Sequence, residues 1–191
     1  ISADNIIELV QDADCIVDGT DNFETRFLIN DAAIKLNIPW IYGGCIGSEG
    51  QTMTIIPQQT PCLHCLMQAG PPPPGTTPTC DSAGILGSVI NVIASIQALE
   101  ALKIVSGNAN QISPYLHVFD LWENRVRQVK LDSLLGLKTC PTCHERDFKW
   151  LAAQQGSSTA ILCGRNAVQI NFHNEQSVSL NQLADKLKTF G

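Results

Sequence analysis

Asp14-Cys15-Ile16-Val17-Asp18, then Gly19-Thr20-Asp21-Asn22, then Phe23-Glu24-Thr25-Arg26 is the stretch that decides the fold. Its first five residues place an apolar centre between acidic ends and read as a short buried strand, which a turn at Gly19 closes. Asp21 precedes a segment in which Phe23, Phe27, Ala32, Ile34 and Leu36 recur at helical spacing, with Glu24 placed three residues on as in a capping box. A helix over about residues 22–36 is therefore expected, stopped by Pro39. Trp40 to Tyr42 supplies a second strand, and Gln51 to Ile56 a third after a glycine-rich turn. Strand, helix, strand in this order is the pattern of an α/β sheet with crossover helices.

Downstream, Pro57 to Thr79 is irregular, and its centre Gly70-Pro71-Pro72-Pro73-Pro74-Gly75 has polyproline character and reads as a surface loop. A long apolar helix is expected from about Ala83 to Val105, ending at Gly107. Ser82 to Leu99 is uncharged and approaches the length of a membrane span. Asn91, Ser95 and Gln97 interrupt it and Glu100 and Lys103 follow at once, so a buried helix is expected, with no membrane partner. Tyr115 to Leu121 and Arg125 to Leu131 alternate as an antiparallel hairpin. Beyond a linker at Gln154 to Ser158, Thr159 to Cys163 and Ala167 to Phe172 read as a strand pair around Gly164, Arg165 and Asn166, and Ser179 with Gln182 opens a short helix.

The composition, 44% hydrophobic and 16% charged over 191 residues, is that of a globular chain. A chain of this length buries about 70% of its unfolded surface and needs no disulfides to build a core. The net charge of −6 repels phosphate backbones, which argues against a nucleic-acid partner but not against one nucleotide whose charge a metal neutralises. The sequence opens on Ile1 within what reads as a helix, so a piece of a longer chain is expected. No secretory signal is visible, and a cytoplasmic setting is expected.

Four of the eight cysteines carry chemistry by their spacing. Cys62-Leu63-His64-Cys65 and Cys140-Pro141-Thr142-Cys143 are two Cys-x-x-Cys turns that together could close a four-sulfur shell around one structural zinc, leaving no open coordination position. Cys140-Pro141-Thr142-Cys143-His144 also matches c-type haem attachment, though only Met53 and Met67 could supply a thioether ligand. A dithiol redox site is a further alternative, but no periodic helix clearly follows Cys143. Cys15, Cys45 and Cys163 lie in apolar runs and read as small core residues.

Asp18-Gly19-Thr20-Asp21-Asn22 joins a strand to a helix, where carboxylates can hold Mg²⁺ against nucleotide phosphates, although Asp21 could equally serve only as the helix cap. Cys80 stands between the proline loop and the long helix; a thiol at a helix start ionises more readily, while Asp81 beside it opposes that. Gly44, Gly47 and Gly50 lack a dinucleotide fingerprint and are expected in tight turns. His64, His117, His144 and His173 show no spacing that assigns them a role.

In order, Asp18-Gly19-Thr20-Asp21-Asn22 with Arg26, Gly50-Gln51, Cys62-x-x-Cys65, Cys80-x-x-Ala83-Gly84, Gln97 to Lys103, and Cys140-x-x-Cys143 make the chain resemble the ThiF/MoeB/HesA family, the bacterial relatives of ubiquitin-activating enzymes. The resemblance implies that residues 1–150 are the second half of a Rossmann-like α/β adenylation domain with a four-cysteine zinc site, and that residues 151–191 form a small α+β extension. It implies an adenylyltransferase that uses ATP and Mg²⁺ to activate the C-terminal glycine of a ubiquitin-like sulfur carrier protein, for thiamine or molybdenum cofactor synthesis. Asp21 would bind magnesium, with Asn22 beside it at the nucleotide; Arg26 would lie near the nucleotide or the carrier tail. Cys80 would bond to the activated carrier or to sulfur, and Cys62, Cys65, Cys140 and Cys143 would hold zinc. A homodimer and a sulfurtransferase partner are also implied. The family's glycine-rich nucleotide loop, its arginine from across the dimer and its ATP-contacting lysine belong to the first half, so residues 1–191 alone are expected not to turn over. A noncatalytic zinc-stabilised binding module remains an alternative.

Overall fold

The structure, a computed structural model, describes residues 1–72, 76, 78–154, 159–162, 167–170 and 179–188. The chain divides into two compact units, Ile1–Gly156 and Ser157–Gly191. The deciding stretch forms the expected strand and helix: β1 (Ile16–Val17) leads through helix α2 (Phe23–Leu36) to β2 (Trp40–Ile46), which runs parallel to β1 with Ile16 opposite Trp40. β1 is not buried as expected, because it lies at the edge of the sheet, with Ile16 half-buried and Val17 51% exposed. A short helix α1 (Ile6–Val10) precedes them and packs on α2 through the buried Ile6.

Among the described residues this is the single crossover in the sheet. β3 (Glu49–Ile55), β4 (Tyr115–Asp120) and β5 (Arg125–Lys130) add antiparallel, in the order β1-β2-β3-β4-β5. For β2–β3 and β4–β5 the reason is connection length, since turns of a few residues permit only antiparallel pairing; β3 and β4 pair antiparallel across the long segment 56–114. Gly47 (φ 56°) and Asn124 (φ 51°) supply the left-handed residues of those turns.

Strand alternation gives β2 and β3 two covered faces, while β5 is exposed along its length. Trp40, Tyr42, Met53 and Ile55 share a buried cluster with Phe27 and Ala33 of α2 and with the cysteine turns. On the other face lie Gly43 and Gly50, against α5 (Gly87–Val105). A methyl group at Gly50 would lie 2.6 Å from Ile93 and 2.7 Å from Val89, so glycine is what lets the helix rest on β3. Of the three spaced glycines only Gly47 makes a turn; Gly44 and Gly50 lie within strands, where the missing side chain admits a neighbour.

The long apolar run also departs from expectation. It breaks into α4 (Cys80–Ala83) and α5, separated at Gly84 (φ 68°), because Gly84 to Leu86 leave the helix to bond the β2–β3 turn: Gly47 N donates to Gly84 O (2.9 Å) and Leu86 N to Gly47 O (2.8 Å). Nor is α5 buried all round. It buries Val89, Ile93, Gln97 and Glu100, one stripe at helical spacing, and exposes Leu99, Leu102 and Val105. By length and composition alone α5 could cross a membrane, but its buried stripe packs on β2 and β3.

In the second unit β6 (Thr159–Leu162) pairs antiparallel with β7 (Ala167–Ile170), and α6 (Leu180–Lys188) follows. Cys163, Gly164 to Asn166 and His173 lie outside the described residues, as does part of the proline loop.

Candidate functional site: a strand-end cluster and a four-sulfur centre

The turn after β1 is built by Asp18. Its Oδ1 accepts from the backbone N–H (2.8 Å) and hydroxyl (2.7 Å) of Thr20, curling the chain, while Oδ2 faces Arg26 Nε at 3.4 Å. Asp18 and Arg26 are both buried. Arg26 also donates to Thr20 O, and its guanidinium lies over the rings of Phe23 (5.6 Å) and Tyr42 (5.5 Å). Gln51 Nε2 donates to the Tyr42 hydroxyl (2.8 Å), and Gly44 brings bare backbone up to that hydroxyl and to Arg26. From the opposite face Gln97 Nε2 donates to Asp18 O (2.8 Å) and Ile41 O (3.0 Å), fixing α5 beneath the strand ends.

With Asp18 committed to the turn, Asp21 is the carboxylate on offer. The helix cap is Asn22, whose Oδ1 accepts from Thr25 N (2.8 Å); Asp21 is exposed and takes only a long 3.3 Å contact from Asn22 Nδ2. The expected capping box on Asp21 and Glu24 is thus replaced by a cap on the next residue, which frees the Asp21 carboxylate for a cation. The side-chain carbonyl of Asn22 is spent on the cap.

Cys80 is half-buried at the first position of α4, behind a capping box of Thr79 and Ser82. Cys15 and Cys45 are half-buried too and so are not core residues. Burial pushes the Cys45 thiol up; the Arg26 charge opposes this and Cys80 adds to it. A separate cavity of about 380 Å³ lies between α5 and β3–β5, where Thr54, Ser113 and Lys103 surround the buried Glu100 and where His117 Nε2 lies 2.6 Å from Ser113 Oγ.

The four cysteines of the two turns converge. Cys62 is the N-cap of α3 (Leu63–Leu66) and Cys65 lies within it, and their sulfurs are 3.8 Å apart. Each is closer to a sulfur of the remote turn: Cys62 to Cys140 at 3.6 Å and Cys65 to Cys143 at 3.4 Å, with all four within 4.8 Å of one another. A tetrahedral ion with metal–sulfur bonds of about 2.3 Å requires sulfur–sulfur edges of about 3.8 Å, so the residues fit one metal ion. The same geometry disfavours two separate dithiols and haem attachment, because neither calls for the two turns to meet. Hydrogen bonding among the sulfurs lowers the Cys140 thiol, which accepts from its neighbours' S–H groups, and raises Cys62, Cys65 and Cys143, which donate to it.

Sequence reasoning assigned no site role to Gln97 or Tyr42 and missed the buried pair Asn30 and Asp31. Gln97 left a trace, an amide inside an uncharged apolar run; Asn30 and Asp31, the two polar residues within the run from Phe27 to Ile34 of α2, left another.

The chain is similar to known proteins. The chain is 44% identical over all 191 residues to the sulfur carrier protein ThiS adenylyltransferase of Bacillus subtilis, of which it covers 55%. It is 38% identical over 131 residues, 69% of the chain, to the adenylyltransferase and sulfurtransferase MOCS3 of Culex quinquefasciatus, covering 30% of that protein. It thus spans about half the length or less of these relatives. The crystal structure of Escherichia coli MccB with ATP superposes on 75% of the chain and 43% of MccB with a TM-score of 0.57 at 16% identity, a likeness of fold. The ThiF family description matches residues 1–140, and with the sheet, the strand-end cluster and the four-sulfur centre in place, the chain belongs to the ThiF family.

Proposed function

We propose that the protein containing this chain adenylates the C-terminal glycine of a ubiquitin-like sulfur carrier protein with ATP, releasing pyrophosphate, and so prepares the carrier for sulfur transfer in thiamine or molybdenum cofactor synthesis. The observation that carries this reading is the 44% identity, without a gap in coverage of this chain, to a ThiS adenylyltransferase. The strand-end geometry supports it. Asp21 is an exposed carboxylate at the carboxyl end of β1, released from capping by Asn22, and suits Mg²⁺. A bound Mg²⁺ would neutralise phosphate charge during carboxylate attack. Arg26 is held by Asp18 with its guanidinium at the same junction, near where nucleotide or carrier tail would lie. Cys80, on α4 beside the β2–β3 turn, is the residue to bond covalently to the activated carrier or to sulfur.

The four-sulfur centre would hold structural zinc, since a buried all-thiolate tetrahedron suits that ion and leaves no position for substrate. The partners in this reading are the sulfur carrier, a sulfurtransferase and a second copy of the protein. The exposed Leu99, Leu102 and Val105 offer the second copy an apolar face. The setting is cytoplasmic, and residues 1–150 serve as the second half of the adenylation domain with 151–191 as its extension.

The test is ATP–pyrophosphate exchange by the full-length protein with a purified carrier. Exchange that requires Mg²⁺, requires the carrier's terminal glycine and is lost in Asp21→Ala is the expected result. A full-length protein that exchanges nothing with either a thiamine-type or a molybdopterin-type carrier sinks the reading.

A further inference from the structure

Helix α2 carries two adjacent polar residues, Asn30 and Asp31, whose side chains are wholly buried. Burying an amide and a carboxylate is costly unless each is satisfied, so their partners matter. Asn30 Oδ1 accepts from Leu63 N at 2.9 Å. That amide is the first of α3, directly after Cys62, and has no partner within its own helix. Asp31 Oδ1 accepts from the Thr142 hydroxyl at 3.1 Å, and Thr142 lies between Cys140 and Cys143, itself 1% exposed. Asp31 Oδ2 accepts from the backbone amides of Trp150 (2.9 Å) and Leu151 (3.4 Å), which draws the chain after the second cysteine turn onto the helix.

The two turns are also tied to each other. His64 Nδ1 lies 3.2 Å from Thr142 Oγ1. Because the Thr142 hydroxyl gives its proton to the carboxylate, its oxygen is the acceptor for His64, which therefore carries its proton on Nδ1. The chain of donors runs from His64 through Thr142 to Asp31. The His64 ring is fixed by an edge contact to Phe27 at 5.3 Å, and Phe27 is stacked on Trp150 at 5.4 Å.

We propose that Asn30 and Asp31 are positioning residues that grip one cysteine turn each and hold the four sulfurs at metal-binding spacing, with Thr142 as the joint between the turns. The inference rests on the metal reading of the four cysteines and adds what orients them. Groups outside the ligand set that orient the ligands typically alter metal affinity 10- to 100-fold when removed.

The experiment measures zinc release from the metal-loaded full-length protein to the chromogenic chelator 4-(2-pyridylazo)resorcinol. Asp31→Ala and Asn30→Ala are expected to release zinc about 10- to 100-fold faster than wild type. Thr142→Val, which keeps the side-chain shape and removes the hydroxyl, should release at a similarly raised rate, whereas Thr142→Ser should return to near the wild-type rate. Asp31→Ala combined with Thr142→Val should raise the release rate by less than the product of the two single effects, because the two share one hydrogen bond. Where Asp31→Ala fails to fold, the Thr142 pair decides: valine and serine releasing alike overturns the proposal, as does release at the wild-type rate from all single variants. Wild-type protein that takes up no metal removes the metal reading itself, which the metal content of the starting material shows separately.

Discussion

Arg26 reaches back across the first turn of α2 to Asp18 at the end of β1, bringing Nε within 3.4 Å of Oδ2 with neither side chain more than 9% exposed. Removing one member of such a pair leaves a buried charge unmatched, at a cost of about 3–5 kcal/mol. Arg26→Ala and Asp18→Asn should each lose stability of that order in urea unfolding, and the double variant should lose less than the two singles added together. Arg26→Lys should not restore the wild type, because lysine lacks the second arm that donates to Thr20 O.

Asp21 and Asn22 are neighbours with separable roles. Asn22→Ala removes the cap on Thr25 and should cost about 1 kcal/mol of stability. Asp21→Ala touches no cap and should change stability by less than about 0.5 kcal/mol, while abolishing pyrophosphate exchange by the full-length protein. Paired unfolding and exchange assays on both variants check this.

Cys80→Ser should leave pyrophosphate exchange intact in the full-length protein, because a thiol that acts after adenylation has no part in that equilibrium. Transfer of sulfur to the carrier should fall sharply. Exchange that disappears with the thiol would contradict this order of events.

Glu100 predicts a pH dependence. Burial pushes its carboxyl up, but Lys103, the Ser113 amide and the Thr54 hydroxyl together overcome this and hold it below its ordinary value. A carboxyl lowered on folding stabilises the protein above the unfolded carboxylate range, and that contribution is lost as pH falls through the folded value. Glu100→Gln should therefore be less stable than wild type at pH 7, by about 1–3 kcal/mol, with the gap closing as the medium is acidified. Urea midpoints at a series of pH values, each compared with wild type at the same pH, measure it.

Gly43 and Gly50 should tolerate no side chain. A methyl group at Gly43 would collide with the side-chain amide of Gln97, and Gln97 ties α5 to Asp18 after β1 and to Ile41 of β2. Gly43→Ala and Gly50→Ala should each cost about 1–3 kcal/mol, the usual penalty for overpacking a core, read from the thermal unfolding midpoint.

Much of this was legible from local pattern. Helix α2 declared itself through the periodicity from Phe23 to Leu36 and through Pro39, and the β4–β5 hairpin through alternation on either side of Trp122, Glu123 and Asn124. The four cysteines announced their common centre because ligand spacing is local within each turn. Whatever depends on contacts between distant segments was not legible. The helix break at Gly84 arises from bonds to Gly47, far away in sequence, and β4 pairs antiparallel with β3 across the long helical segment between them. Capping at Asp21 and at Asn22 differs by one position, which periodicity does not resolve. The pairing of Asp18 with Arg26 lay within the motif, but nothing in spacing says which of two aspartates turns inward.

The sulfur centre has a topological consequence. With an ion bound, Cys62 and Cys140, 78 positions apart, become the clasp of a closed ring of backbone that contains α4, α5 and most of the β-sheet's antiparallel half. A protease that nicks the proline-rich stretch between Gly70 and Gly75 would open this ring without dividing the molecule. The two halves should travel together on a sizing column and come apart only after both denaturant and chelator are added.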